Sequence, residues 1–294
     1  MLATASIEEP DCPLCGARSS RRLRRFPAGT PWGLVACDEC GLAYLSPRPS
    51  PAALAELYRA ADYFASESEQ GYGSYEAQEE PLRRTFRRLL VQLAAGGHTG
   101  GSLLEVGCGY GYLLDEARPH FRRRVGTDLS EGAIAVARGR ADAAHVGGVE
   151  AAAGELFDVV IANHVVEHVV DPVGFLRGLT ARCRPGGRVV VSTPDFGSPW
   201  RRALGGRWPS FKLPEHVLYF DRDTLRRAMD RAGLECLEDV PYPHAFPLPL
   251  VAAKVGVSLP PRLGRYSLWL PRTTVAALGR APGGAGAGAA QASG

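Results

Sequence analysis

Short, nearly unbroken apolar runs recur along this chain, and the stretches between them repeat apolar residues every three or four positions. The runs within Leu103–Val106, Phe157–Asn163 and Arg188–Ser192 lack strict alternation, which predicts strands buried on both faces of a parallel sheet. Leu82, Phe86, Leu89, Leu90 and Leu93 share one helical face with arginines opposite. A helix over Leu82–Ala95 follows, closed by Gly96-Gly97. Further helices are predicted over Pro51–Arg59, over Ala133–Arg140 behind a Ser130 cap, over Phe175–Cys183, and over Thr224–Ala232 behind Asp221. Leu113, Leu114 and Ala117 begin another. Weaker strand patterns fall near Arg124–Ser130, Ala144–Val149 and Leu234–Val240. Strands alternating with helices in this order predict a doubly wound α/β domain over residues 81–240.

The flanking segments pattern differently. Residues 1–46 hold two short strands, Arg22–Phe26 and Trp32–Ala36. Residues 47–80 read as a linker with an extended, proline-held exit, one helix, and an aromatic segment, Tyr58–Tyr75. That segment is either a lid over a pocket or packing between two units. Residues 194–213 form a loop with three prolines, Trp200, Trp208 and Phe211, long enough to be functional. Residues 241–280 are a C-terminal cover. Its proline- and leucine-rich part has no clean period, so a hairpin with a helix or a loose apolar surface both fit. The Gly/Ala/Ser tail at 281–294 is expected to be disordered.

Bulk composition changes this picture little. Hydrophobic content of 45% and charged content of 22% are ordinary for a globular chain. A net charge of +3 is too small to mark a nucleic-acid binder. No uninterrupted apolar stretch reaches about 18 residues, so no membrane span is expected. Met1–Pro10 carries Glu8 and Glu9 and no apolar core of a signal peptide. The five arginines within Arg18–Arg25 fit a phosphate-contacting patch. They also fit a solvated strand face in a chain whose basic residues are nearly all arginine, and that reading is preferred.

Cysteine placement adds more. Cys12-Pro-Leu-Cys15-Gly and Cys37-Asp-Glu-Cys40-Gly are two matching knuckles, while Cys108, Cys183 and Cys236 are scattered. Each pair aims two thiolates from one tight turn at one ion, and two pairs make a four-sulfur zinc site. With no position left open for chemistry, the expected role is structural, the metal supplying the folding energy of a ribbon too small to fold alone. The pattern argues for a reducing, cytoplasmic setting.

The most informative stretch is Leu103–Tyr112, a short strand entering a turn of alternating glycines, Gly107, Gly109 and Gly111, followed by a helical pattern. Such a turn belongs to a nucleotide-type pocket at the carboxyl edge of a sheet. A dinucleotide fingerprint would need a third glycine where Tyr112 stands. Glu105 inside the strand end would repel a pyrophosphate but suits a cation. Asp128 ends the next strand, 17 positions after Gly111, about where a β-α-β unit places a carboxylate for ribose hydroxyls.

Glu105–Gly111 resembles the first motif of the class I S-adenosylmethionine-dependent methyltransferases. The stretch from Phe157 to Pro172 is similar to the fourth-strand motif of their small-molecule members, and Cys183–Asp195 to the fifth. The resemblance covers roughly residues 80–240 and implies a seven-stranded, mostly parallel sheet with S-adenosyl-L-methionine as cofactor. It implies that Glu105 and Asn163 orient the methionine end and Asp128 the ribose. Gly107, Cys108, Gly109, Gly111, Tyr112, Leu129 and His164 complete the implied cofactor set. The adenine-contacting acid of the family falls here on Gly148. A cysteine ribbon in front also resembles methyltransferases of bacterial polysaccharide, nucleotide-sugar and natural-product pathways.

On the acceptor side, His216, in Glu215-His216-Val217-Leu218-Tyr219-Phe220, leads as general base, since a neutral imidazole suits deprotonation of a hydroxyl or amine. A histidine bonded to loop backbone fits equally. His168 is the second catalytic candidate, with helix packing as its alternative. A metal held by His164 and His168 lacks an evident third ligand. The expected activity is methyl transfer to a small-molecule acceptor: a sugar, a saccharide-lipid or a secondary metabolite. An rRNA or tRNA methyltransferase gripping RNA through its ribbon is the alternative, and a non-enzymatic zinc-binding adaptor a third.

Overall fold

The computed structural model describes residues 7–26, 30–59, 78–254 and 257–283. Strand β1 (Ile7–Glu8) pairs antiparallel with β5 (Arg48–Pro49), and Arg48 reaches back to Glu8 at 2.8 Å. Between them, β2 (Ser20–Arg25), β3 (Gly33–Cys37) and β4 (Ala43–Leu45) form an antiparallel ribbon. Helices α1 (Pro51–Arg59) and α2 (Glu79–Ala95) follow. The apolar face of α2 buries Phe86, Leu89, Leu90 and Leu93, as its spacing requires. Gly97, at φ 72°, turns the chain out of it. Tyr63, Phe64, Tyr72 and Tyr75, read above as a lid or as packing, lie outside the described residues.

The main domain then alternates: β6 (Ser102–Val106), α3 (Tyr112–Glu116), β7 (Arg123–Asp128), α4 (Glu131–Ala137), β8 (Ala143–Val146), β9 (Phe157–Asn163), α5 (Pro172–Arg182) and β10 (Cys183–Pro194). The Ser130 hydroxyl caps α4 by accepting the Ala133 amide, and Asp171 caps α5 ahead of Pro172. Next come α6 (Pro199–Leu204), β11 (Leu218–Tyr219) and α7 (Arg222–Arg231), the last opened by an Asp221/Thr224 capping box. β12 (Glu235–Asp239), β13 (His244–Pro247), α8 (Leu248–Lys254), β14 (Ser267–Leu270) and β15 (Thr274–Arg280) complete the chain.

One sheet of seven strands runs β12-β15-β10-β9-β6-β7-β8. β10, β9, β6, β7 and β8 are parallel, and β15 lies antiparallel between β10 and β12. Leu103, Leu104, Val160, Ile161 and Val189–Val191 are fully buried in it, each contributing roughly 1.5–3 kcal/mol of burial. The strand order reverses between β6 and β9, the place where such sheets take their ligands beyond the carboxyl ends of the strands.

Three expectations need correction. Thr274–Arg280 is a full strand of the sheet rather than part of a cover. Of the two alternatives for the segment before it, the hairpin with a helix is the one seen, β13 and β14 pairing with α8 between them. The 194–213 loop contains α6 and a further 3₁₀ turn at Gly205–Arg207. Ala281, assigned to a disordered tail, is buried, and its amide and carbonyl bond Gly187 and Gly186. Residues 284–294 lie outside the described residues.

Candidate active site and cysteine cluster

At the switch point, Gly107, Gly109 and Gly111 stand at φ 75°, 51° and 77°, the left-handed region where a side chain is strained. Gly107 also has no space: a Cβ there would come within 2.4 Å of Val165 Cγ2. The turn is pinned from the neighbouring strand. The Gly107 and Cys108 amides donate to Thr127 O at 2.8 and 3.0 Å. The Gly109 amide donates to Asp128 Oδ2 and the Ser130 amide to Asp128 Oδ1, both at 2.9 Å. Asp128 thus ties the glycine turn to the start of α4, and burial pushes its carboxyl up despite these bonds.

Glu105 is 3% exposed at the end of β6, and its Oε2 has no hydrogen-bond partner. Burial, then the charge of Asp128, raises its carboxyl well above the usual range. Asn163, at the end of β9, accepts from the Ser192 hydroxyl at 2.9 Å and leaves its Nδ2 buried without a partner. The two side chains lie close enough for Asn163 to oppose the rise of the Glu105 carboxyl, yet Glu105 Oε2 and Asn163 Nδ2 keep no well-formed partner, which is costly for buried groups. They fit a ligand that brings a cation to Glu105 and an acceptor to Asn163, which are the two charged groups of an amino-acid end.

The other implied cofactor residues divide. The Cys108 side chain is buried toward Gly126, where an added Cβ would meet its Sγ at 2.8 Å, so only its backbone lines the turn. Tyr112 is 1% exposed beneath the guanidinium groups of Arg83 and Arg140. Its ring packs in the core. Leu129 stands exposed beside Asp128. His164 takes a left-handed backbone, φ 53°, unusual for a non-glycine residue. Its Nδ1 lies 3.3 Å from Glu167 Oε1 and its ring meets those of Tyr242 and His244.

On the facing side, His168 and His216 meet edge to face, ring centroids 4.6 Å apart, and His168 Nδ1 sits 3.2 Å from Glu215 O. Glu167 joins them: one ligating-type atom from each of Glu167, His168 and His216 lies within 4.8 Å of the other two. Burial keeps both imidazoles below their ordinary value. Burial alone would raise Glu167, but contact with His164 and the fields of His168 and His216 hold it at about 2. The arrangement is a buried carboxylate among imidazoles, with His216 Nδ1 lacking a partner.

Glu167, Tyr242 and His244 were absent from the residues expected from sequence. Glu167 was signalled by standing next to His168. Tyr242 and His244 come from the segment with no period, and only the return of the chain along α2 brings them to His164.

In the ribbon, one Sγ each from Cys12, Cys15, Cys37 and Cys40 lie within 4.8 Å of one another, with Cys12–Cys40 and Cys15–Cys37 at 3.5 Å. A disulfide needs sulfurs about 2.05 Å apart. A tetrahedron with zinc–sulfur bonds of about 2.3 Å has edges of about 3.8 Å, so the donor set and spacing fit such an ion. Of the nearby arginines, Arg18 and Arg21 pair with Asp11 and Asp38.

A glycine turn between strand-end acids, at the switch point of a seven-stranded sheet with this one antiparallel strand, defines the class I S-adenosylmethionine-dependent methyltransferase fold. Residues 76–239, over half of the chain, match the family described as a methyltransferase domain, and the chain belongs to that family. It is 39% identical over 153 residues to the ubiquinone biosynthesis O-methyltransferase of Ruegeria pomeroyi, covering 46% of this chain and 60% of that one. It is 28% identical over 283 residues to the protein of the same name from Methylobacterium sp. (strain 4-46), covering 89% and 93%. Among solved structures, magnesium protoporphyrin IX methyltransferase from Synechocystis PCC 6803 with bound SAH superposes with a TM-score of 0.52 at 14% identity, over 78% of this chain and 98% of that one. That likeness shows the fold.

Proposed function

We propose that this chain transfers a methyl group from S-adenosylmethionine to a hydroxyl of a small-molecule acceptor. The observation that supports this is a pair of buried polar groups linked through the Asn163–His164 step and the His164–Glu167 contact. One is Glu105 and Asn163 beside Asp128, with Glu105 Oε2 and Asn163 Nδ2 unsatisfied; the other is the Glu167–His168–His216 cluster. The O-methyltransferase names of the relatives support the acceptor class. The cofactor supplies an activated methyl on a sulfonium, so the protein has only to align, desolvate and, for a hydroxyl, remove a proton.

Glu105 and Asn163 hold the amino-acid end, Asp128 the ribose, and the glycine turn permits close approach of the backbone. His216 accepts the acceptor's proton, with His168 packed against it and Glu167 stabilising the charge that forms. Cys12, Cys15, Cys37 and Cys40 would hold a structural zinc, which leaves no coordination position for catalysis.

Binding of S-adenosylmethionine by calorimetry, followed by label transfer from it into a fractionated cell extract, tests the reading. Label in the small organic fraction is expected. Label in RNA instead, or no cofactor binding, would overturn it.

A further inference from the structure

The cysteine ribbon and the histidine cluster are joined by one continuous seam. β11 is the outer strand of the ribbon's own sheet, in the order β11-β4-β3-β2, with Leu218 opposite Tyr44 and Tyr219 opposite Ala43. The Leu45 amide donates to Val217 O at 2.9 Å, and the Val217 amide donates onward to Glu167 O at 3.0 Å. His216 immediately precedes that bridging residue. The second knuckle leads straight into β4: the Gly41 amide bonds Cys37 O, the Cys37 amide bonds Leu42 O, and Ala43 begins the strand. The place of β4 therefore follows from the closure of the cysteine turn. A second contact runs in parallel, where Phe26 of the ribbon packs edge to face on Phe211, and Phe211 on Tyr219. Arg227 adds a bond to Cys40 O.

Resting on the methyltransferase reading above, we propose that the metal-closed ribbon is a positioning element for the acceptor half of the site. The metal on Cys12, Cys15, Cys37 and Cys40 sets β4, β4 sets Val217, and Val217 sets His216 against His168 and Glu167. The cofactor half shares a core with the ribbon but no strand pairing. Glu105, Asp128 and the glycine turn hang from β6 and β7, which pair with β9 and β8 and not with the ribbon. Loss of the metal is therefore a local event with a directed consequence.

The test uses the full chain, with its metal and after removal of the metal by a chelator under reducing conditions. Metal content, histidine ring resonances, amide exchange and calorimetric binding of S-adenosylhomocysteine are read on both forms. On metal loss the His168 and His216 resonances shift, and amides 217–220 exchange at least about tenfold faster. The resonances of His98, His120 and His145, the β6 amides, and affinity for S-adenosylhomocysteine within about twofold stay as they were.

A second variant, Leu45→Pro, deletes the amide that bonds Val217. It gives the same His168 and His216 shifts, whether or not it keeps its metal. A ribbon that merely folds itself would leave those two resonances and amides 217–220 unmoved, and that result overturns the proposal. So does a general change in all histidines together with lost S-adenosylhomocysteine binding, or a purified chain with no metal. Failure of the metal-loaded chain to bind S-adenosylhomocysteine overturns the underlying reading instead, whatever the seam does.

Discussion

Glu105 shows how much one residue reveals. A carboxyl in the middle of an apolar strand end reads as functional from sequence because nothing else justifies its burial. The structure adds that it lies beside Asp128 and that burial raises its carboxyl well above the usual range. A cation arriving at Glu105 must then displace a proton. Binding of S-adenosylmethionine near pH 6 is expected to release up to one proton, visible as a buffer-dependent calorimetric enthalpy. Glu105→Gln abolishes that dependence and weakens binding roughly 10- to 100-fold, the worth of a charge-assisted hydrogen bond of about 1.5–3 kcal/mol. Equal affinity in the variant would exclude Glu105 from the cofactor site. Glu167 was harder to see. It sits among residues with a helical look, and its role depends on His216, 49 positions later in the chain, which no local pattern connects to it.

At the scale of elements, legibility followed the physics of local signals. Strands β6, β9 and β10 carry short unbroken runs of Leu, Val and Ile, helix α2 a clear helical period, and all four were readable. β15 was not. Its Thr-Val-Ala-Ala-Leu-Gly-Arg has small residues of weak strand propensity, and its partners β10 and β12 are made elsewhere in the chain. Yet Val275, Ala276, Ala277 and Leu278 are all buried, so this strand joins two others by pairing and by packing. A chain ended at residue 273 is expected to lose cooperative thermal unfolding in the calorimeter, and a truncated chain with an unchanged melting temperature would contradict the assignment. The glycine turn makes the opposite point, since its three positive φ values were foreseeable from sequence. Gly107→Ala combines left-handed strain with the contact on Val165. About 1–3 kcal/mol of stability should be lost in urea unfolding.

For the whole molecule, the ribbon, the main sheet and the β13–β14 hairpin converge on one group of histidines. Burial lowers His168 and His216, and it lowers His244 to about 3. An unfolded histidine takes up its proton near pH 6.5; these folded ones refuse it. The unfolded state then binds more protons, so this share of stability is present above about pH 6.5 and is lost as pH falls toward the folded values. Glu167, held at about 2, acts with the same sign at lower pH. Glu105 and Glu215, raised by burial, act with the opposite sign, so the raw pH profile mixes both. A difference experiment separates them. His244 faces His164 from the hairpin and packs on Phe246, and glutamine keeps a polar group there without the titration. Between pH 6.5 and pH 5 a histidine refusing its proton accounts for about 1–2 kcal/mol. His244→Gln should lose that much less stability than the parent chain over this interval in paired urea titrations. Parallel losses in the two proteins would mean that His244 takes up its proton in the folded state.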